Sequence, residues 1–214
     1  MRFSFLEPCS DDKPLNDRPC YSVVLNAKSP LYTVLHAQLS STYEDLMFPL
    51  DAKILLRNCL DFRARVQRAS SNALALANSL ITHPSISRVN YPTMVASAAL
   101  YERCRRPEGA YGSLISIVFR NPESAIRFYD TIDLWKGPSF GTNFTLVLPY
   151  AQLAHAFELD WAESQGMPKH IIRISVGLED EEFLIGKFEH ALEEVEAFEN
   201  GWVNGERTYF GLMS

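Results

Sequence analysis

The sequence has 214 residues, 47% of them hydrophobic, so the chain can bury one sizeable core, or one core with a helical annex. Its formal net charge of −6 argues against a nucleic-acid partner, because proteins that bind nucleic acid normally present a basic face. No run approaches the roughly 20 apolar residues that a membrane span needs, so we expect no membrane partner.

The first twenty residues are polar and contain Pro8, Pro14 and Pro19, without a periodic apolar pattern. We expect residues 1–20 to be irregular and to be neither a signal peptide nor a transit peptide. The four cysteines are widely spaced and lack the pairing of metal ligands, which favours a reduced, cytoplasmic protein without a zinc site.

The next segment is predicted to contain one strand followed by helices. The β-branched run Ser22–Asn26 predicts a strand, and residues 29–40 predict a helix. From Asp51 to Ile81, apolar residues recur three or four positions apart, which predicts a long amphipathic helix, unbroken or broken near Ser70-Ser71. Pro84 ends it, since a residue before proline is disfavoured in the helical region.

Strands and helices alternate after Pro84. The predicted strands are Val89–Tyr91, Ser113–Phe119, Phe144–Leu148 and Ile171–Val176. One predicted helix is capped by Asn121 and runs to Ile132, and a second runs from Asp180 to Phe198. This order predicts an α+β sandwich, with helices covering one face of a sheet.

Four motifs occur in one consistent order: Tyr91-Pro92, Ala110–Ser116, Lys136–Gly141 and Ile172–Asp180. Together they resemble the small C-terminal domain of the Cys/Met-metabolism enzymes that depend on pyridoxal phosphate (PLP), the trans-sulfuration family. The amino-acid sequence of residues 141–155 is most similar to that of the fungal cystathionine γ-synthase branch. The resemblance extends upstream to Ser22 and covers about nine-tenths of the chain.

The resemblance implies the small domain of the aspartate-aminotransferase-like fold, an antiparallel sheet covered by helices and preceded by a long helix from the large domain. We therefore expect an irregular segment at 1–20, a part of the large PLP domain at 21–83, the small domain at 84–200 and a tail at 201–214.

Arg173 is the first candidate substrate-binding residue. The resemblance implies that it forms a bidentate pair with the α-carboxylate of an amino-acid substrate, a task that suits the planar fork of the guanidinium. The alternative is an arginine on a strand face that pairs with a core acid.

Ser139 is the second candidate. The resemblance implies that it lines the amino-acid pocket, largely through its backbone, whereas Pro138–Gly141 read alone is merely a turn. Phe140 departs from the leucine or tryptophan usual in the family.

The resemblance also implies PLP as the cofactor, held by a Schiff-base lysine upstream of Ser22. Counting back along the family's spacing reaches Ser10, and Lys13 lies out of register in a proline-rich context typical of a solvated lysine. We therefore expect no catalytic, cofactor-binding or metal-binding residue in the chain, and no covalently bound PLP. The acidic run Glu179–Glu182 opens a helix and is not expected to bind metal.

The function implied is that of a cystathionine γ-synthase-like protein, which replaces the γ-substituent of an activated homoserine with cysteine. Here it would be truncated and inactive alone, because PLP chemistry needs the lysine as anchor and base. The alternative is a non-catalytic subunit or modulator that oligomerises with full-length PLP enzymes. In either case we expect the chain to form a homo- or hetero-oligomer.

Overall fold

The computed structural model describes residues 2–5, 21–44, 47–203 and 206–207. The chain divides into two compact units, residues 1–63 and 64–214. None of the helices in the described ranges is long and apolar enough to cross a membrane. The expected division at residues 83 and 84, between a part of the large PLP domain and the small domain, stays a prediction.

The first unit consists of a strand pair and helices. Strands β1 (Arg2–Phe5) and β2 (Tyr21–Val24) pair antiparallel. Helix α1 spans Tyr32–Thr42 and helix α2 spans Pro49–Asn58, and neither contains a buried residue. Helix α3 (Phe62–Leu80) begins at the end of this unit.

The strand at Arg2–Phe5 differs from the irregular segment expected at 1–20. Phe3 and Phe5 alternate with polar residues, which is a strand pattern, but the pattern is too short to stand out beside three prolines. The remainder of this segment, including Ser10 and Lys13, lies outside the described residues.

The helical region predicted for Asp51–Ile81 forms two helices, and the break lies at Cys59–Asp61. Turn hydrogen bonds there join the N–H of Leu60 to the Arg57 carbonyl and the N–H of Phe62 to the Cys59 carbonyl. The helix continues through the site predicted for a break because Ser70 is buried and its hydroxyl bonds elsewhere. Its Oγ accepts hydrogen bonds from the N–H groups of Tyr111 and Gly112, at 3.0 and 3.1 Å.

A five-stranded sheet forms the centre of the second unit. Its strands are β3 (Ile86–Asn90), β4 (Leu114–Phe119), β5 (Trp135–Lys136), β6 (Leu146–Pro149) and β7 (Ile172–Ser175). They lie in the order β3-β4-β7-β6-β5. Neighbours from β3 to β6 are antiparallel, whereas β5 pairs parallel with β6, and β3 has a register shift between Ile86 and Arg88.

In the described part of this unit, five helices follow α3: α4 (Ala98–Cys104), α5 (Pro122–Thr131), α6 (Tyr150–Ala154), α7 (Leu159–Ser164) and α8 (Glu181–Asn200). As predicted, the Asn121 side chain caps α5 by accepting the N–H of Glu123. Asp180 caps α8 by accepting the N–H groups of Glu182 and Phe183. The short strands β8 (Trp202–Val203) and β9 (Glu206–Arg207) pair within the expected tail.

The core lies between one face of the sheet and helices α3, α5 and α8. It includes Leu76, Leu80, Ile115, Ile117, Phe128, Ile174, Leu184 and Phe188. Burial alternates along β4, where Ile115, Ile117 and Phe119 are buried and the residues between them are more exposed. The α+β fold with helices on one face is thus confirmed, with a mixed sheet because its edge strand β5 is parallel to β6.

Candidate functional site

Arg173 lies in the middle of β7, opposite Ser116 of β4 and Leu148 of β6. Its neighbours Ile172 and Ile174 are buried against the helices. Since side chains alternate along a strand, Arg173 projects from the opposite, open face of the sheet, where it is half-buried.

The guanidinium of Arg173 contacts a backbone carbonyl and two aromatic rings. Its Nη2 donates a hydrogen bond to the carbonyl oxygen of Pro138. Its Cζ lies over the rings of Tyr150 and Phe140, 5.2 and 5.6 Å from their centroids. Within the described part of the chain no Asp or Glu forms an ion pair with Arg173. The alternative interpretation, an arginine paired to a core acid, therefore finds no acid there.

The segment between β5 and β6, called loop 137–145, contains Ser139, which follows Pro138, the residue whose carbonyl accepts the Arg173 hydrogen bond. Ser139 itself is exposed. The loop is fastened to β7, because the N–H of Gly141 donates to Ser175 Oγ at 3.1 Å. Gly141 has φ +81°, a conformation that favours glycine, and this turn places Phe140 against Arg173.

A second set of contacts holds the other end of loop 137–145. The Glu179 carboxylate accepts hydrogen bonds from the N–H and the hydroxyl of Thr145, the latter at 2.9 Å. The N–H of Gly177 donates to Thr145 Oγ1 at 3.0 Å, and the N–H of Leu178 donates to the Asn143 carbonyl at 2.8 Å. Glu179, expected from sequence only as part of an acidic helix start, thus ties loop 137–145 to the end of β7.

Beside Arg173 the open face of the sheet forms a cleft of about 280 Å³. It is lined by Asn90, Leu114, Ile115, Ser116, Tyr150, Met167, Ile171 and Arg173. Asn90 Nδ2 donates to Ser116 Oγ at 3.0 Å, so the cleft combines one cation, one hydrogen-bonded polar pair and apolar walls. Such a composition, with a few polar groups among apolar ones, is typical of small-molecule sites.

The sequence interpretation singled out Arg173 and Ser139, and the two differ in their relation to the cleft. Arg173 lines the cleft, whereas Ser139 does not. Tyr150, Asn90 and Ser116 line it but were not predicted as site residues. The signal for Ser116 is its alternation with the core residues Ile115 and Ile117, which places it on the face of Arg173.

The residues at the cleft do not fit covalent attachment of PLP, since no lysine is among those that line it. Lys169, the nearest lysine in sequence to the lining residue Met167, pairs with Asp160 at 2.6 Å and with Glu163 at 3.3 Å. These hydrogen bonds, that of Asp160 first, raise the pKa of Lys169 above its ordinary value. An imine-forming lysine must be neutral, so this pairing opposes such a role. Lys13 lies outside the described residues.

Among the residues with a described structure, no group of three His, Cys, Asp or Glu side chains could hold a metal ion. Cys59 and Cys104 are exposed and free. His155, whose ring contacts that of Tyr150, bonds through Nδ1 to Glu158 at 2.8 Å.

Comparison with known sequences gives consistent matches. Residues 23–193 match the model of the Cys/Met metabolism PLP-dependent enzymes. The cystathionine γ-synthase-like protein ankD of Aspergillus thermomutatus is 57% identical over 175 residues, which cover 82% of this chain and 31% of that protein. The cystathionine γ-synthase of Neurospora crassa is 44% identical over 173 residues, covering 81% and 28% respectively. The chain thus spans less than a third of the length of these two relatives.

Solved structures of similar fold carry related ligands. Cystathionine γ-synthase from Xanthomonas oryzae pv. oryzae, in complex with aminoacrylate and cysteine, matches with a TM-score of 0.61 and 26% identity over 70% of this chain and 39% of that one. A structure from Campylobacter jejuni assigned as an O-acetylhomoserine (thiol)-lyase matches with a TM-score of 0.65 and 28% identity over 78% and 40%, and it contains a pyridoxyl-lysine phosphate.

Proposed function

Because this chain belongs to the Cys/Met-metabolism PLP-dependent enzymes, we propose that it supplies the carboxylate-binding side of a cystathionine γ-synthase-type site, with Arg173 as the anchor for the α-carboxylate of an amino-acid substrate. Ser139 follows Pro138, whose carbonyl Arg173 contacts; although it does not line the cleft, we propose that its backbone contributes to substrate binding from the adjacent loop. We also propose a cytoplasmic location, which the widely spaced cysteines favour.

The environment of Arg173 is the observation that carries this proposal. The Arg173 guanidinium projects from the open face of the sheet into a cleft. Its partners are a carbonyl and two aromatic rings, and no acid of the described chain neutralises its charge. A carboxylate that binds there gains a charge-assisted, two-point contact without having to displace a competing anion.

The reaction that this site serves is γ-replacement on an activated homoserine, with cysteine as the incoming group. PLP, when bound in this family, stores the electrons of the reacting carbon. The described residues of this chain bind and orient the carboxylate. None of those that line the cleft is a lysine that could hold PLP. We therefore propose that the 214 residues alone neither bind PLP covalently nor catalyse the replacement.

Two measurements on the purified chain test the proposal. Titration with L-cystathionine, followed by amide chemical shifts, should perturb residues around Arg173, and Arg173→Ala should abolish that perturbation. Borohydride treatment with PLP, followed by peptide mass spectrometry, should give no pyridoxyl-lysine above the level of a denatured control. Unchanged binding in Arg173→Ala would overturn the carboxylate assignment, and a single stoichiometrically labelled lysine would overturn the statement on the cofactor.

A second candidate function is that of a non-catalytic partner of full-length PLP enzymes. The observation in its favour is the apolar surface of the first unit, where α1 and α2 have no buried residue and Leu56 and Leu60 are 70% and 81% exposed. Co-expression with the cystathionine γ-synthase of Neurospora crassa, followed by size-exclusion chromatography, tests it. Co-elution that is lost in Leu56→Glu/Leu60→Glu supports this function, and separate elution contradicts it.

A further inference from the structure

Two aromatic side chains contact Arg173, the cationic residue among the described residues that line the cleft. The Arg173 guanidinium lies over the rings of both Tyr150 and Phe140, within the distance of about 6 Å at which a cation is attracted to a ring face. Arginine carries several rotatable bonds, so an unsupported guanidinium would lose conformational entropy on binding a carboxylate. Contacts that fix its orientation beforehand lower that loss.

The backbone holds both rings relative to β7, at equal distances along the strand from Arg173. The N–H of Tyr150 donates to the carbonyl of Ile171, two residues before Arg173, at 3.1 Å. The N–H of Gly141, next to Phe140, donates to Ser175 Oγ, two residues after it, at 3.1 Å. The segments that carry the two rings are therefore tied to β7 and to the residue that precedes it.

The Tyr150 ring has further support on its own side. The His155 ring meets it edge-on, with centroids 5.8 Å apart, and His155 is itself held by Glu158. Tyr150 also lines the cleft, so its ring contacts the guanidinium and bounds the space into which a ligand enters.

We propose that Tyr150 and Phe140 are positioning residues, which hold the Arg173 guanidinium in the orientation that receives a substrate carboxylate. This inference rests on the proposed function of Arg173. It assigns the rings no contact with the carboxylate itself, and it predicts that the ring of residue 150 matters while its hydroxyl does not.

The first test needs no ligand. In the chain labelled with ¹⁵N-arginine, the Nε–H resonance of Arg173, assigned by its loss in Arg173→Lys, reports the ring currents and the rate of rotation about Nε–Cζ. Tyr150→Leu should shift this resonance and speed the rotation, and Tyr150→Phe should leave both as in the wild type. An unchanged resonance in Tyr150→Leu overturns the inference whether or not a ligand binds.

The second test uses L-methionine and its alcohol analogue L-methioninol, which lacks only the carboxylate. The wild type should prefer L-methionine, Tyr150→Phe should keep that preference, and Tyr150→Leu should bind L-methionine about fivefold more weakly, the effect expected for one cation–π contact. Phe140→Leu should act in the same direction, and the double variant more strongly.

The outcomes separate the two proposals. If Arg173→Ala abolishes the preference and Tyr150→Leu leaves it intact, the positioning role is wrong and the carboxylate anchor stands. If the wild type shows no preference for L-methionine, the anchor itself is wrong, and the positioning role falls with it. Amide spectra of each variant verify that it is folded, and Leu153→Ala, a change at an exposed residue of the same helix α6, serves as the matched control.

Discussion

Gly177 shows how closely the loops around the site are packed. A Cβ added there would lie 2.6 Å from the Asn143 carbonyl oxygen, the Phe144 carbonyl carbon and a Glu179 carboxylate oxygen. Two of these atoms belong to the backbone of loop 137–145, which is itself held by Thr145 and Glu179. Where loop 137–145 crosses the end of β7, there is therefore no space for a side chain at residue 177, and only glycine fits.

Gly177→Ala should destabilise the second unit by about 1–3 kcal/mol, the usual cost of overpacking a buried site. Gly186→Ala is the matched control, because that glycine lies in α8 and, apart from its chain neighbours and its own helix backbone, no atom lies within 4 Å of the added Cβ. There the change should stabilise the chain by about 0.5–1 kcal/mol through helix propensity. Urea unfolding of both variants measures the two signs, and equal effects would contradict the crowding argument.

Arg173→Ala should change stability little. The side chain is half-buried and loses one hydrogen bond to a carbonyl and two ring contacts, so we expect a cost of about 1 kcal/mol. Had Arg173 neutralised a buried acid, its removal would cost about 3–5 kcal/mol. Urea unfolding against Arg88→Ala, an exposed arginine of β3, separates these values. A loss in the higher range would show that Arg173 serves stability rather than binding.

At the scale of elements, the sequence predicts the strands and helices whose apolar pattern is long or well bounded. The helix corresponding to α5 is predicted from its cap Asn121, the helix corresponding to α8 from the apolar residues that recur between Asp180 and Phe198, and β4 from its apolar run. The short helices α4, α6 and α7 and the two-residue strand β5 have too few residues for a period to emerge, and tertiary contacts decide them. The same holds for Ser70, whose pairing with Tyr111 and Gly112 keeps α3 continuous.

The candidate site was predictable where one motif carries it and not where separate segments meet. Arg173 stands in the motif Ile172–Asp180, so the resemblance identifies it. Tyr150 and Asn90 approach Arg173 only through the strand order β3-β4-β7-β6, which places strands distant in sequence side by side. No local pattern encodes that order.

Helices α1 and α2 should exchange their amide protons far faster than α8. They have 11 and 10 residues and no buried side chain, and isolated helices of that length are marginal in water. Helix α8 has 20 residues and buries five of them in the core. Hydrogen exchange followed by mass spectrometry should show protection on the order of a hundredfold lower in α1 and α2. Equal protection in all three helices would show that α1 and α2 have found a partner.

At the scale of the whole molecule, apolar side chains are unevenly exposed. In the first unit, the exposed large apolar residues include Leu31, Val34, Leu50, Ile54, Leu56, Leu60 and Phe62. Large exposed apolar surface marks interaction sites on soluble proteins. We therefore expect this surface to bind another molecule, a second copy in the simplest case.

The purified chain should associate reversibly as its concentration rises. Leu56→Glu/Leu60→Glu should shift sedimentation velocity towards the monomer, because charged side chains oppose burial of that surface. Leu153→Glu is the control, since Leu153 is 60% exposed but lies in α6 of the second unit. A wild type that stays monomeric at high concentration would show that the apolar surface of the first unit drives no association.

The edges of the five-stranded sheet limit what form such assemblies take. One edge, β5, is only two residues long, and the other, β3, is interrupted by a register shift and carries Arg88. Fibrils grow when strands of other chains pair with a long, regular sheet edge. Short, irregular and charged edges are poor templates for such pairing. Association of this molecule through helical surfaces should therefore end in discrete particles, and its central sheet should not seed amyloid.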